Sequence, residues 1–232
     1  MKNCLITGGS SGIGRAIALD LAKRGEKVYI TGTNSRKLDA VIAEINECGG
    51  TGYSMIADVR DAKLANQVVA DAIEKMGSID VLVANAGVGR FKQLEQFTDE
   101  DYNIQFDVNV KGVFNYLRPV IKYMREQNFG QIIVTSSNLG FETSARCGIY
   151  GATKFALQAM IGALREELKG TAIKAGTINP GSVDTPWYNE SVDQKRRAKM
   201  LSAEDVSAAA MMMINQGASS DIDHILLHPG RQ

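Results

Sequence analysis

The chain opens on a short apolar run, a glycine-rich turn and an amphipathic helix: Cys4-Leu-Ile-Thr-Gly-Gly-Ser-Ser-Gly-Ile-Gly-Arg-Ala-Ile-Ala18. Gly8, Gly12 and Gly14 carry no Cβ, so the backbone can turn tightly there and approach another group closely. A helix that starts near Gly12 aims its unpaired N–H groups, and the positive end of its dipole, back at the turn. Such a turn suits a pyrophosphate. The alternative is a tight structural turn, but the strand–turn–helix context is the one a nucleotide site requires. The candidate contacts are Gly8, Ser10, Ser11, Gly12, Ile13 and Gly14.

The rest of the chain repeats the alternation. Apolar strand signals fall at about 27–31, 53–57, 79–84, 131–135, 172–178 and 222–227. Helical spacing occupies about 13–23, 35–48, 62–76, 99–127, 149–168 and 203–216. The run at 79–84 is almost wholly apolar, as a strand buried on both faces requires. Alternation of this kind gives a doubly wound α/β fold, a seven-stranded parallel sheet with helices on both faces. Right-handed crossovers then bring every strand C-terminus to one edge, where ligands bind. Gly8–Gly14, the residues 32–35, Asp58, the residues 85–87, Ser137 and Pro180 to Thr185 all fall there. Each strand end carries a polar or glycine signature, and that co-location rests on topology alone.

With 232 residues, a single domain spanning 1–232 is expected. Lysine plus arginine and aspartate plus glutamate balance at 26 each, so a nucleic-acid partner is not favoured. Cys4, Cys48 and Cys147 show no paired or metal-like spacing, which points to reduced thiols and a cytoplasmic location. No run is long enough for a bilayer span, and none reads as a signal peptide. His224 and His228 flank the last strand without a third ligand, so no metal site is expected.

The ordered set Thr7-Gly-Gly-Ser-Ser-Gly-Ile-Gly14, Asp58-Val59, Asn85-Ala-Gly87, Asn109 in Asn-Val-Lys-Gly112, Ser137, Tyr150-Gly-Ala-Thr-Lys154 and Pro180-Gly181 with Thr185 resembles the short-chain dehydrogenases/reductases of the compact type. The resemblance runs from Leu5 to about Leu227. It implies a Rossmann-type fold and an NAD(P)-dependent oxidoreductase that moves a hydride between nicotinamide and a carbonyl or secondary alcohol.

Tyr150 and Lys154 stand four apart near a helix start, which puts them on one face with Cβ atoms about 5–6 Å apart. A phenol ionises near pH ~10, and a neighbouring ammonium lowers that value. By resemblance Tyr150 is the general acid/base. Lys154 also holds the nicotinamide ribose, and Ser137 bonds the substrate oxygen. Asn109 helps to hold a water on a proton path to Lys154. Strand alternation turns Ser136 away from the cleft.

The cofactor is NADP or NAD. The acid that bonds the ribose in NAD-preferring relatives is replaced by Gly32, and the basic residues of many NADP-preferring relatives are missing at Thr33 and Ser11. Thr33, Asn34, Ser35, Arg36 and Lys37 remain as contacts for a 2′-phosphate, which favours NADP. By the same resemblance Asp58 and Val59 meet the adenine, Asn85 and Gly87 its ribose, and Pro180, Gly181, Val183 and Thr185 the carboxamide side. Ala84 and Gly176 depart from the usual pattern without touching the reacting atoms.

The segment at about 185–201 reads as a flap over the substrate, with Trp187 and Tyr188; Phe91 and Phe141 join them as an apolar lining. Arg90 and Arg146, near the mouth, suit the carboxylate of a 3-hydroxy or 3-oxo acid. Within that family the chain resembles 3-oxoacyl-carrier-protein reductases and small 3-hydroxy acid dehydrogenases. Asn128 and Thr171 stand where carrier-protein reductases often carry basic residues. A homodimer or homotetramer is implied by analogy, through the helices around 99–127 and 149–168. The reading from a different class is a nucleotide-sensing protein that does not turn over; such a protein has no need of Asn109, Ser137, Tyr150 and Lys154 together.

Overall fold

A computed structural model describes residues 1–188 and 192–230. Seven strands form one sheet in the order β3-β2-β1-β4-β5-β6-β7. They are β1 (Asn3–Thr7), β2 (Lys27–Gly32), β3 (Thr51–Ile56), β4 (Val81–Ala84), β5 (Gly130–Thr135), β6 (Ile173–Pro180) and β7 (His224–Leu227). Every pairing is parallel. The strand order reverses between β1 and β4, which opens a crevice above their C-terminal ends.

The helices are α1 (Gly12–Lys23), α2 (Ser35–Glu47), α3 (Ala62–Met76), α4 (Asp99–Phe106), α5 (Gly112–Gln127), α6 (Gly148–Glu167), α7 (Gln194–Arg197) and α8 (Ala203–Ile214). Alternation along each strand divides the core into two layers. Cys4, Ile6, Val28, Ile30, Val81 and Val83 pack with α1, α2 and α8 on one face. Leu5, Tyr29, Leu82, Ile132 and Val134 pack with α3, α5 and α6 on the other. These side chains are essentially inaccessible, as a sheet covered on both faces requires.

Register places the functional edge. Thr7 pairs with Thr31 and Ala84, and Thr135 with Ile178. The sixth strand runs on through Asn179-Pro180, beyond the expected end at 178, because β7 continues to pair with it there.

The expected continuous helix over 99–127 is interrupted. Residues Asp107–Lys111 form a π turn in which the Gly112 N–H bonds Asp107 O. Two tertiary contacts sit at that turn. Asn109 bonds the backbone of Val88, and a Cβ at Gly112 would come within 2.6 Å of Val59. A single extra residue in the turn is the usual form of such bulges.

Candidate active site

The crevice above the sheet is a cavity of about 1480 Å³. Its floor is the glycine turn. Gly8 and Gly12 hold φ of +66° and +54°, which side chains rarely adopt. Gly14 packs so closely that a Cβ would collide with the Gly8 carbonyl and lie 2.7 Å from Asn85 Nδ2. Ser11, the N-cap of α1, makes no side-chain capping bond, so the first N–H groups of that helix stay available to an anion. Asn85 braces the turn: its Nδ2 donates to Thr7 O and Gly8 O, both at 3.3 Å, and its N–H donates to Thr7 Oγ1 at 3.0 Å. A positive-φ glycine cradle beside an uncapped helix start fits a dinucleotide pyrophosphate.

Most of the expected contacts line this cavity: Gly8, Ser10, Ser11, Gly12, Ile13, Thr33, Asp58, Val59, Asn85, Gly87, Pro180, Gly181, Val183 and Thr185. Thr185 reaches over the turn, within 3.3 Å of where a Gly12 Cβ would stand. The Asp58 carboxyl lies below its ordinary value, first through the Arg60 guanidinium, which bonds it at 2.6 Å.

Four expected site residues lie off the wall. Gly14 serves packing. Asn34 caps α2, its side chain accepting from the Lys37 N–H. Arg36 is exposed and does not line the cavity; Lys37 does. Lys37 shares a helix face with Val41 and Glu44, and that face meets α1 through the Arg15–Glu44 ion pair. Asn109 is buried with its amide already engaged: Nδ2 donates to Val88 O and Thr153 Oγ1, and Oδ1 accepts from Val88 N–H. Those bonds clamp the loop after β4 to α6.

Ser137, Tyr150 and Lys154 come together on the cavity wall. Ser137 follows β5 and accepts from Leu139 N–H at 3.1 Å. Lys154 is buried, and its Nζ donates to Thr135 O at 3.0 Å and lies 5.5 Å from the Tyr150 ring centre. Burial lowers the Lys154 ammonium to about 8. Burial also pushes the Tyr150 phenol well above its ordinary value, against a hydrogen bond with Ser137. The shift is upward where a lowering by Lys154 was expected, and desolvation is its largest cause. Tyr150 therefore holds its proton at neutral pH.

Phe91 and Trp187 flank Tyr150, with ring centroids at 5.4 and 6.1 Å. Phe141 departs from the expected lining and packs on His224, at 5.3 Å between ring centroids. Tyr188, Arg90 and Arg146 line the cavity. In the flap, Asp184 N–H bonds Leu201 O at 2.8 Å, and Arg197 pairs with Asp184. Part of the expected flap, Asn189 to Ser191, lies outside the described residues.

Ser136 does turn from Ser137's environment, into a buried polar network. It accepts from Gln158 Nε2 at 3.0 Å and donates to Lys154 O at 3.3 Å, although it also touches the cavity wall. Gln158 also donates to Asn179 Oδ1 at 2.6 Å. It ties the Ser137 strand end to the Pro180 loop. Gln158 lies four residues after Lys154, so helical spacing alone would have placed it beneath the site.

The family model described as "short chain dehydrogenase" matches residues 2–196. An uncharacterized oxidoreductase of Staphylococcus epidermidis is 31% identical over 228 residues, covering 98% of this chain and 97% of the relative. Among solved structures, an alcohol dehydrogenase of Thermococcus sibiricus complexed with 5-hydroxy-NADP superposes with a TM-score of 0.92 at 27% identity, covering 100% of this chain and 98% of that one. A 3-ketoacyl-(acyl-carrier-protein) reductase of Brucella melitensis complexed with NADH gives a TM-score of 0.89 at 27% identity, with 99% and 98% coverage.

Proposed function

The chain belongs to the short-chain dehydrogenase family, and from that premise we propose that it is an NADP-dependent oxidoreductase interconverting a small carbonyl compound and its secondary alcohol. The observation that carries this reading is the convergence of Ser137, Tyr150 and Lys154 on one wall of the cavity. The bound nicotinamide supplies or accepts the hydride. In reduction, the Tyr150 O–H gives its proton to the substrate oxygen as negative charge develops there. Ser137, fixed by Leu139 N–H, donates a hydrogen bond to the same oxygen. Lys154, still cationic at neutral pH, stabilises the phenolate left behind. Asn109 is a positioning residue: it joins Val88 to Thr153, the residue before Lys154.

For the cofactor, Lys37 and Thr33 line the cavity beside a β2 end that carries Gly32 in place of an acid, which supports the 2′-phosphate of NADP. In the same reading Asp58 and Val59 meet the adenine, Asn85 and Gly87 its ribose, and Pro180 to Thr185 the nicotinamide side. A homodimer or homotetramer is part of this proposal, supported by Phe114 and Phe155, exposed on α5 and α6. No helix among the described residues is long and apolar enough to cross a membrane. The unpaired cysteines support a cytoplasmic setting.

The test is coenzyme oxidation with NADPH and NADH against a panel of a 3-oxoacyl thioester, a 3-oxo acid, a diketone and an aromatic aldehyde. NADPH-linked turnover on at least one member is expected. Tight NADPH binding without turnover on any of them would instead favour a sensing role.

A further inference from the structure

The wall around Tyr150 carries a chemical preference of its own. Phe91 and Trp187 stand edge-on to the Tyr150 ring from two elements. Gly89 lets them converge, since a Cβ there would come within 2.7 Å of Trp187 and 2.9 Å of Phe91. Rings gathered this closely on the reacting group favour a short substrate over a bulky one.

Cations line the same cavity: Arg90, Lys92, Arg146 and Arg196. They are not equivalent. Lys92 forms an ion pair with Asp101, and Arg90 Nε lies 4.0 Å from the same carboxylate. Asp101 is held down to about 2 by Lys92 and the Thr98 backbone, so it stays ionised and offsets them. Arg146 differs from the other three in its backbone. Its backbone sits at φ +67°, a left-handed conformation that is uncommon outside glycine, and strain of that kind gathers at functional sites. The turn is held by Lys92 N–H bonding Arg146 O at 3.0 Å and by Cys147 N–H bonding Ser144 O at 3.1 Å. Its guanidinium, like that of Arg196, has neither an ion pair nor a hydrogen bond among the described residues, but Arg146 alone stands four residues before Tyr150. A planar donor fork left unpaired on a cavity wall matches a carboxylate.

We infer that the substrate is a short hydroxy acid, or the corresponding oxo acid, whose carboxylate is bound by Arg146 while its reacting oxygen meets Tyr150 and Ser137. This rests on the oxidoreductase reading above for the second half of the statement only. Arg146 is a specificity-determining residue, and it sets which alcohols enter rather than how the hydride moves.

The probes are lactate and 3-hydroxybutyrate, each beside its methyl ester, which keeps the alcohol and removes the charge. Wild type, Arg146→Ala, Arg146→Lys and Arg196→Ala are assayed with NADP. Wild type should prefer one of the acids to its ester. Arg146→Ala should lower that acid-to-ester ratio of kcat/KM by about tenfold to a hundredfold, chiefly through KM. Arg146→Lys should restore part of it, and Arg196→Ala should keep the wild-type ratio. A second readout needs no turnover. Trp187, the sole tryptophan, lines the cavity, so its fluorescence reports binding of the acids directly. Saturable change in wild type, weakened by Arg146→Ala, is expected. Equal treatment of acid and ester, loss of preference through Arg196 instead, or acid binding indifferent to Arg146 would overturn the inference. Absence of turnover with acid binding still dependent on Arg146 would instead overturn the oxidoreductase reading and leave the carboxylate site standing.

Discussion

The two ends of the cavity are built differently. The end over β1 and α1 is made of backbone. Gly8 and Gly12 sit at positive φ, Gly14 packs against the Gly8 carbonyl, and Asn85 bonds two carbonyls of the turn. The end beyond Tyr150 is made of side chains carried on loops and on the flap: Phe91, Arg146, Trp187 and Tyr188. At the first end a Cβ added at Gly8 or Gly14 meets backbone atoms. At the second, a side chain can change without disturbing the sheet. A scaffold of this kind keeps its cofactor geometry while its substrate changes, and Tyr150 stands where the two ends meet.

That contrast can be broken in several ways. Tyr150→Phe removes the one proton at the junction and should lower turnover about a thousandfold with NADPH affinity nearly unchanged, as read by steady-state kinetics and coenzyme titration. A loss of less than about tenfold would move the proton donor elsewhere.

Lys154 gives a test through pH. Its folded-state value is about 8 against an ordinary 10.5. Between the two, the unfolded chain binds the extra proton, so this group's contribution to stability rises with pH across that window. Below about pH 8 the full penalty for burying the ammonium is present. Lys154→Met lacks that penalty. Its stability relative to wild type should therefore be greatest at pH 7 and fall by about 2–3 kcal/mol by pH 10, measured by urea unfolding. A difference independent of pH would mean that Lys154 is not desolvated.

Gly14→Ala forces a Cβ against the Gly8 carbonyl and should destabilise the fold by about 1–3 kcal/mol, seen as a lower Tm and weaker coenzyme binding. The smallest effect separates two neighbours on α2. Lys37→Ala should weaken NADPH about tenfold with little change for NADH. Arg36→Ala should change neither; the reverse pattern would put the 2′-phosphate on the other face of the helix.

The sheet, and the edge on which the site lies, were legible because each rests on local pattern. The apolar run at 79–84, the alternation of strands and helices, and polar or glycine strand ends all survive without tertiary knowledge. What was not legible depends on contacts between distant segments. The π turn at Asp107–Lys111 coincides with Asn109 reaching Val88 and with Gly112 against Val59, neither of which spacing reveals. The phase of α2 depends on where Asn34 caps it, and that one-residue choice turns Lys37 to the cavity and Arg36 away. Phe141 follows a loop whose path carries it to His224. The direction of the Tyr150 shift also escaped, because a charge four residues away is visible in sequence and desolvation of the phenol is not.

The most direct test of the central claim follows the hydride itself. NADPH deuterated at the transferring carbon is incubated with the protein and a substrate from the panel, and the alcohol is analysed by mass spectrometry. Deuterium at the carbinol carbon, formed by wild type and lost with Tyr150→Phe, is the predicted result. Alcohol without deuterium, or labelled alcohol formed equally well by Tyr150→Phe, would contradict it.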